Sequence, residues 1–310
     1  MANTYFGRDS YIMFDKAAGG AEPYGTATTA WITAHPLIST TMQRTIEKTP
    51  RPHLLSGNAN RRDHIISADN AGGTFTIEAN YGSIGLLLKH ALGAAATSAG
   101  TPNSHTYTLA GDLPDNGLTA TILRGSGSTG ETVEGVRIGS LTLSANSAEV
   151  MQLSADVIAE TSNVDTTDGA ETRAAAETLI SGIVDAPILH HHCGTLAWDG
   201  LTLNVRSMNC TINNSLARRQ FLGSKVTKDP LRTDFSSVEA SFEIDGGASG
   251  AEREMGLTFQ NAYLAECTDP VNSAGLISMS LKFICESDGT DHGLKIIMKN
   301  QAADAEVMST

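Results

Sequence analysis

Two stretches with alternating apolar and polar side chains frame a long polar excursion in the second half of the chain. Apolar residues alternate with polar ones from Leu201 to Val205, and the apolar row continues from Met208 to Ile212 one residue out of phase. A period of two residues is typical of a strand with one buried face. The change of phase predicts a β-bulge near Ser207. A returning strand is predicted from Val238 to Ile244, where the same alternation reappears.

The excursion between these strands, residues 211–234, carries five cations in a chain of formal net charge -13. A connection of this length inside a domain is usually functional or disordered. One interpretation is a solvated, mobile hairpin tip. The other is an arm that contacts a neighbouring acidic subunit or ring, because opposite charges align such contacts. The candidate contact residues are Arg218, Arg219, Lys225, Lys228, Asp229 and Arg232.

A helical spacing of apolar residues follows a strand predicted over Thr74–Asn80. Ser83 is the expected N-cap and Gly93 the expected stop of an amphipathic helix. Its buried face is predicted to be Ile84, Leu87, Leu88 and Ala91.

Further alternating segments predict a hairpin between residues 136–143 and 151–157, with a phase slip at Gly139. Two C-terminal strands, over 277–285 and 294–298, are expected to close the same sheet. A short helix is predicted within residues 252–263.

The remaining chain predicts one domain over 1–310 with several irregular segments. These are an N-terminal arm of about residues 1–35, long loops near 40–65, 159–178 and 211–234, and a frayed tail over 300–310. The segment near 159–178 is interpreted as a surface loop or a helical insertion. The predicted class is mainly β, an antiparallel sandwich or barrel with one packed α-helix and long polar loops.

Composition narrows the possible functions. The chain has 310 residues with 21 Lys and Arg against 34 Asp and Glu, and 40% of its residues are hydrophobic. Stable nucleic-acid or anionic-membrane surfaces need clustered cations, which this balance disfavours. The most apolar window, Ile84 to Ala96, is too short to cross a bilayer. No membrane partner and no secretory signal are therefore predicted.

The run from His190 to Cys193 is the clearest candidate for metal chemistry. Consecutive strand residues point to opposite faces, so this run supplies at most two ligands to one metal, whereas a zinc site needs three or four. GSGSTG from Gly125 lacks the ending that a phosphate-binding loop requires. The sequence thus predicts no catalytic residues, no metal, no cofactor and no enzyme activity.

Several motifs, in order along the chain, resemble the tail tube proteins of long-tailed, non-contractile-type bacteriophages. They are GRDSYIMF from Gly7, EPYGTATTAW from Glu22, GGTFTIEANYGSIGLLLKHALG from Gly72, SHTYTLAGDLP from Ser104 and SMNCTINNSLARRQFLGS from Ser207. Residues 159–178 and the His190–Cys193 run have no counterpart in this resemblance.

The resemblance implies a structural virion protein that forms stacked, hexameric rings and a hollow tail through which double-stranded DNA passes. Its implied partners are further copies of itself and the tape-measure, tail terminator and baseplate or tip proteins. Its implied location is the phage tail, after assembly in the host bacterial cytoplasm. Two other classes stay open: a β-sandwich adhesion module of a phage or cell surface, and a metal-binding enzyme. Rings or tubes, an exposed binding patch on a monomer, and bound metal would respectively distinguish the three.

Overall fold

Nineteen strands and two helices form among the residues that the computed structural model describes. These residues are 10–16, 31–50, 64–80, 83–100, 103–114, 117–124, 130–164, 169–183, 196–198, 201–245, 255–259, 262–268, 278–285 and 294–300.

The elements of the first half are β1 (Tyr11–Lys16), β2 (Trp31–Thr40), β3 (Gln43–Pro50), β4 (His64–Glu78), α1 (Gly85–Leu92), β5 (Gly93–Ser98), β6 (Asn103–Leu109), β7 (Leu118–Leu123), β8 (Gly130–Asn146) and β9 (Gln152–Ala159). The second half contains β10 (Thr161–Val164), α2 (Gly169–Ile183), β11 (Leu196–Trp198), β12 (Leu201–Asn213), β13 (Leu216–Arg219), β14 (Lys228–Arg232), β15 (Ser237–Asp245), β16 (Met255–Phe259), β17 (Ala262–Thr268), β18 (Ser278–Cys285) and β19 (Leu294–Asn300). The predicted mainly β class is confirmed.

Six strands close on themselves as an antiparallel barrel. The pairs β7–β1, β1–β2 and β2–β4 form one part of the wall. The pairs β4–β9, β9–β8 and β8–β7 complete it. Closure removes the free edges of these strands and encloses their inward side chains.

The sheet that forms the barrel extends beyond it at both ends, and a second, four-stranded sheet is separate from it. One edge of β8 is shared between β7, at its N-terminal half, and β12, at its C-terminal half. From there β12, β15, β18 and β17 follow in order, and β3 extends the sheet beyond β4 at the other end. A separate four-stranded sheet has the order β16, β19, β6 and β5.

The strand predictions in the central and second parts of the chain are confirmed in detail. β12 and β15 pair antiparallel, and their register shifts between Val205 and Ser207, as the change of phase predicted. β8 and β9 pair as the predicted hairpin, with a shift between Ile138 and Ser140 that marks the slip at Gly139. Strict alternation was informative here because one face of each strand is buried.

Helix α1 differs from the prediction in its cap and in its faces. Its N-cap is Ile84, without a side-chain capping bond, while the Ser83 hydroxyl lies 3.3 Å from His35 Nδ1. Gly93 ends the helix at φ 102°, which confirms the predicted stop. Every helical residue except Lys89 is buried, so the helix is enclosed rather than amphipathic. The four residues of the predicted face, Ile84, Leu87, Leu88 and Ala91, all have zero exposure and belong to the main core.

Several predicted irregular segments are strands. Residues 11–16 and 31–35 of the expected N-terminal arm lie in β1 and β2, where Ile12 and Phe14 are fully buried. The expected loop near 40–65 contains β3, and residues 51–63 lie outside the described part. The predicted helix within 252–263 is replaced by β16 and the start of β17. β19 does not close the sheet of β18; it pairs with β16 and β6 instead.

A second helix corrects the expectation of a single packed one. α2 occupies much of the segment that was interpreted as a surface loop or a helical insertion, so the second interpretation is the right one. Its Ala176 packs with Met13 and Ala34 on the face of the β1–β2 pair opposite the main core. Arg173 lies over the Tyr11 ring, 5.4 Å from its centroid. The expected tail after Asn300 lies outside the described residues.

Candidate subunit-contact surface

The predicted contact arm is a short hairpin that crosses the outer face of the barrel. Residues 214–236, here called the strap, contain β13 and β14, which pair antiparallel. The strap contacts β8 at one end and β4 at the other, and it crosses β9 between them. Neighbouring strands are about 4.8 Å apart, so the crossing spans roughly 10 Å of the wall. The strap is thus fixed to its own subunit and is not a mobile tip.

Asn214 joins the strap to the barrel at its base. This residue is fully buried, and its Nδ2 donates to the carbonyl oxygens of Ala91, at 2.8 Å, and Ile138, at 3.1 Å. Its Oδ1 accepts from Arg232 at 3.1 Å and from the Ser236 hydroxyl at 3.2 Å. The side-chain amide therefore uses both donors and its acceptor.

Arg232 connects the same point to the loop that follows β6. Its guanidinium donates to the carbonyl oxygens of Ala110 and Gly111 as well as to Asn214. Burial lowers the pKa of Arg232, and the neighbouring charge of Asp112 opposes this shift. The guanidinium nonetheless remains charged at neutral pH, because arginine side chains are not deprotonated in proteins.

Arg218 holds the middle of the strap against the wall. Its guanidinium donates to the carbonyl oxygen of Ala71 at 2.7 Å, beside Gly72. A Cβ on Gly72 would lie 2.8 Å from the Arg218 guanidinium and 2.5 Å from the Val157 carbonyl oxygen. The φ of Gly72 is +143°, in the region that only glycine adopts easily. Glycine at this position therefore allows the strap to lie directly on the sheet.

We expect replacement of Gly72 with alanine to lower the free energy of unfolding by about 1–3 kcal/mol, the usual cost of a strained backbone. The added Cβ also displaces Arg218, so amide hydrogen exchange in the strap should accelerate. Alanine at Gly111 is the matched control, because a Cβ there meets nothing within 4 Å. Equal stabilities of the two variants, measured by urea unfolding, would contradict this account of Gly72.

The tip of the strap binds the N-terminal half of β4, the part that pairs with β3. Thr227, which is fully buried, donates its hydroxyl to Asn70 Oδ1 at 2.8 Å, and Gln220 donates to the same oxygen at 3.2 Å. The backbone N–H of Asp69 donates to the Lys225 carbonyl oxygen at 2.7 Å. A two-bond ion pair with Arg44 holds the pKa of the Asp69 carboxyl below its usual range.

Two further charged residues of the strap, Asp229 and Arg219, also contact their own subunit, whereas Lys225, Lys228 and Asp234 are exposed. Asp229 accepts two bonds from Arg137, at 2.8 and 3.0 Å, and Arg137 is only 5% exposed. Arg219 donates to the backbone oxygen of Asp229 at 2.7 Å. Burial raises the pKa of Glu160 on the wall beneath, and the positive charge of Lys228 opposes that shift.

The strap also presents four large apolar side chains to solvent, beside the exposed Lys225, Lys228 and Asp234. Leu222 and Phe235 are almost completely exposed, at 106% and 91%, and Phe221 and Leu231 are about half exposed. The sequence-based prediction of contact residues rested on charge and did not include these four apolar residues. The available signal was a pair of large apolar residues, Phe221 and Leu222, immediately before Gly223 in a polar segment.

Other candidate chemistry is not brought together in the described part of the chain. No group of three or more His, Cys, Asp or Glu residues suited to a metal occurs among the described residues. The His190–Cys193 run lies outside them. Of the helices described, neither is long and apolar enough to cross a membrane.

Comparison with known proteins supplies the family. The family model for phage tail tube protein matches residues 7–293, nearly the whole chain. No curated protein matches the chain. The match spans the barrel, both helices, the strap and the extended sheet, in agreement with the resemblance carried by the sequence motifs. The chain belongs to the phage tail tube protein family.

Proposed function

We propose that this protein polymerises as stacked hexameric rings that form the hollow tail tube of a long-tailed, non-contractile bacteriophage. The observation that carries the proposal is the family match over residues 7–293. Membership implies self-assembly into a tube and a place in the virion tail. The role is structural rather than enzymatic, and the whole chain acts as one tube domain.

The strand edges support assembly around a ring. Among the described elements, β17 and β3 end the large sheet, and β16 and β5 end the small one. Such edges expose backbone N–H and C=O groups that can pair with another chain. In a ring, pairing with neighbouring subunits would satisfy these groups and suppress uncontrolled aggregation.

The charge of the chain supports passage of DNA. Each subunit has a formal net charge of -13, and a hexamer carries six times that charge. Acidic side chains around the bore repel phosphate, so the genome slides without binding during ejection. Salt screens this repulsion beyond about 8 Å, which confines the effect to the wall of the channel.

The proposed assembly requires other phage proteins at defined points. A tape-measure protein and a tail terminator set its length, and baseplate or tip proteins begin it. Assembly takes place in the host bacterial cytoplasm. The strap, with Arg218, Arg219, Lys225, Lys228, Asp229 and Arg232, lies on the outer wall and is proposed as a contact with an adjacent subunit or ring.

Negative-stain electron microscopy of the untagged full chain, over a range of concentration and salt, tests this function. Rings or tubes with a central channel are expected at high protein concentration. Light scattering of the same samples should rise steeply above a critical concentration, because polymers that grow only from a completed ring have an unfavourable nucleus. A strictly monomeric particle in every condition, including after addition of the baseplate or tip proteins that begin the tube, would contradict the proposal.

A further inference from the structure

Two segments of the described chain carry most of its exposed large hydrophobic side chains: the strap, and the β3–β4 pair with Ile46, Ile65 and Ile66. Half of the large hydrophobic residues that are exposed among the described residues lie on the strap: Phe221, Leu222, Leu231 and Phe235. Isolated exposed hydrophobics are ordinary, but a cluster on one short segment is typical of an interaction site. These four residues define the outer face of the strap.

The opposite side of the strap explains why this face is held rigidly. Asn214 makes hydrogen bonds to α1 and β8, and Arg218 and Thr227 make them to neighbouring residues of β4. The side chains of Asn214 and Thr227 are fully buried. The backbone order of the strap is therefore established when the subunit folds. A partner that binds the outer face does not have to order it, which favours association.

Three of the five cations of the strap, all of them arginines, are poor candidates for the centre of the contact. Arg218, Arg219 and Arg232 donate to backbone oxygens of their own subunit. Replacing them with acidic residues would break these bonds and displace the strap. A loss of assembly in such variants would therefore report on folding as much as on contact. Phe221 contacts the Arg219 guanidinium, 5.7 Å from its ring centroid, whereas the exposed side chains of Leu222 and Phe235 donate no such hydrogen bonds.

A second copy of the chain is the partner that this surface fits. Membership of the family implies self-assembly into a tube. Lys225 and Lys228 are exposed beside the apolar residues, whereas the chain as a whole has a formal net charge of -13. Opposite charge at the rim therefore favours a copy of this chain. A tube that grows without closing needs head-to-tail contacts, in which this face meets a different surface of its neighbour.

We propose that the outer face of the strap, formed by Phe221, Leu222, Leu231 and Phe235, binds a second copy of this chain in the assembled tube. This inference rests on the proposed function, because it assigns a surface to that self-assembly. The contact is hydrophobic at its centre, and Lys225 and Lys228 contribute only at the rim. Burial of the two most exposed side chains, Leu222 and Phe235, supplies most of its affinity.

The test compares two double variants of the full chain. In Leu222→Ser/Phe235→Ser the outer face becomes polar, and in Leu222→Ile/Phe235→Leu it stays apolar. Both side chains are exposed, so neither variant should change the thermal unfolding midpoint by more than about 2 °C. We expect the serine variant to raise the critical concentration for tubes at least tenfold, since one large side chain buried at a contact is worth about that factor. The conservative variant should assemble as the wild-type chain does.

The outcomes separate the surface from the function. If wild-type protein forms tubes and the serine variant forms them at the same concentration, the outer face is not a contact, although the tube function stands. Failure of the conservative variant together with the serine variant would also overturn the proposal, because apolar character would then not be the property that matters. If wild-type protein forms no tubes at all, the proposed function fails and the surface proposal fails with it.

Discussion

Replacing Asn214 with alanine is expected to lower the free energy of unfolding by about 3 kcal/mol. The change removes the donors that serve the buried carbonyl groups of Ala91 and Ile138 and the acceptor that serves Arg232. A buried polar group without a partner costs about 1–3 kcal/mol. The Ala91 carbonyl is especially dependent on this bond, because carbonyl groups in the last turn of a helix have no partner within it.

Urea unfolding followed by circular dichroism measures the effect, and Asn209→Ala is the matched control. Asn209 precedes Asn214 by five residues and is exposed on β12, so its replacement should change stability by less than about 0.5 kcal/mol. In Asn214→Ala, amide hydrogen exchange should become faster than in the wild-type protein, and the largest increase should be in β13 and β14. Equal stability of the two variants would mean that Asn214 does not hold the strap on the barrel.

The parts of the fold that the sequence predicted well share one physical property. In β12 and β15 one face is buried and the other is not, and this difference appears directly as alternation. β7 is buried along its whole length, including Thr119 and Thr121, and all but one residue of α1 is buried, so neither element has an exposed face. β3 failed for the opposite reason: nearly every residue is exposed and polar, and the strand exists because β4 pairs with it.

The candidate site shows a similar division. Sequence composition located the excursion and its cations correctly, since both depend only on local residue content. Composition could not show which side chains of the strap face the barrel. That depends on the carbonyl groups of Ala71, Ala159 and Ile138, which lie on three neighbouring strands far from the strap in the sequence. Once those strands assemble, Asn214, Arg218 and Thr227 are directed towards the barrel, and Phe235 and Leu222 remain exposed.

A buried histidine in the wall of the barrel predicts sensitivity to acid. His35 is 2% exposed, and its ring lies 6.2 Å from that of Phe14 between centroids. Nδ1 lies 3.3 Å from the Ser83 hydroxyl, and Nε2 has no hydrogen-bond partner among the described residues. Burial lowers the pKa of His35 to about 4. The imidazole is therefore neutral in the folded protein at any pH above that value.

The free energy of unfolding should fall as the pH is lowered from 6.5 towards 4. An unfolded histidine has a pKa near 6.5, so below that pH the unfolded state binds a proton that the folded state excludes. Each pKa unit between the folded and unfolded states corresponds to about 1.4 kcal/mol. The free energy of unfolding should therefore be lower by roughly 2 kcal/mol at pH 5. Urea unfolding at intervals between pH 7 and pH 5 measures it, in a window where most carboxyl groups do not yet titrate.

His35→Gln isolates the contribution of this residue, because glutamine keeps a polar group near Ser83 but does not titrate. The variant should be less stable than the wild-type protein at pH 7, where it loses the packing against Phe14. The difference in free energy of unfolding between the two proteins should be smaller by about 2 kcal/mol at pH 5. Only the wild-type protein has an imidazole that is protonated in the unfolded state and neutral in the folded state at that pH. Parallel stability curves for the two proteins would contradict a lowered pKa at His35. An imidazole NMR resonance of the folded protein that titrates near pH 6.5 at this position would contradict it as well.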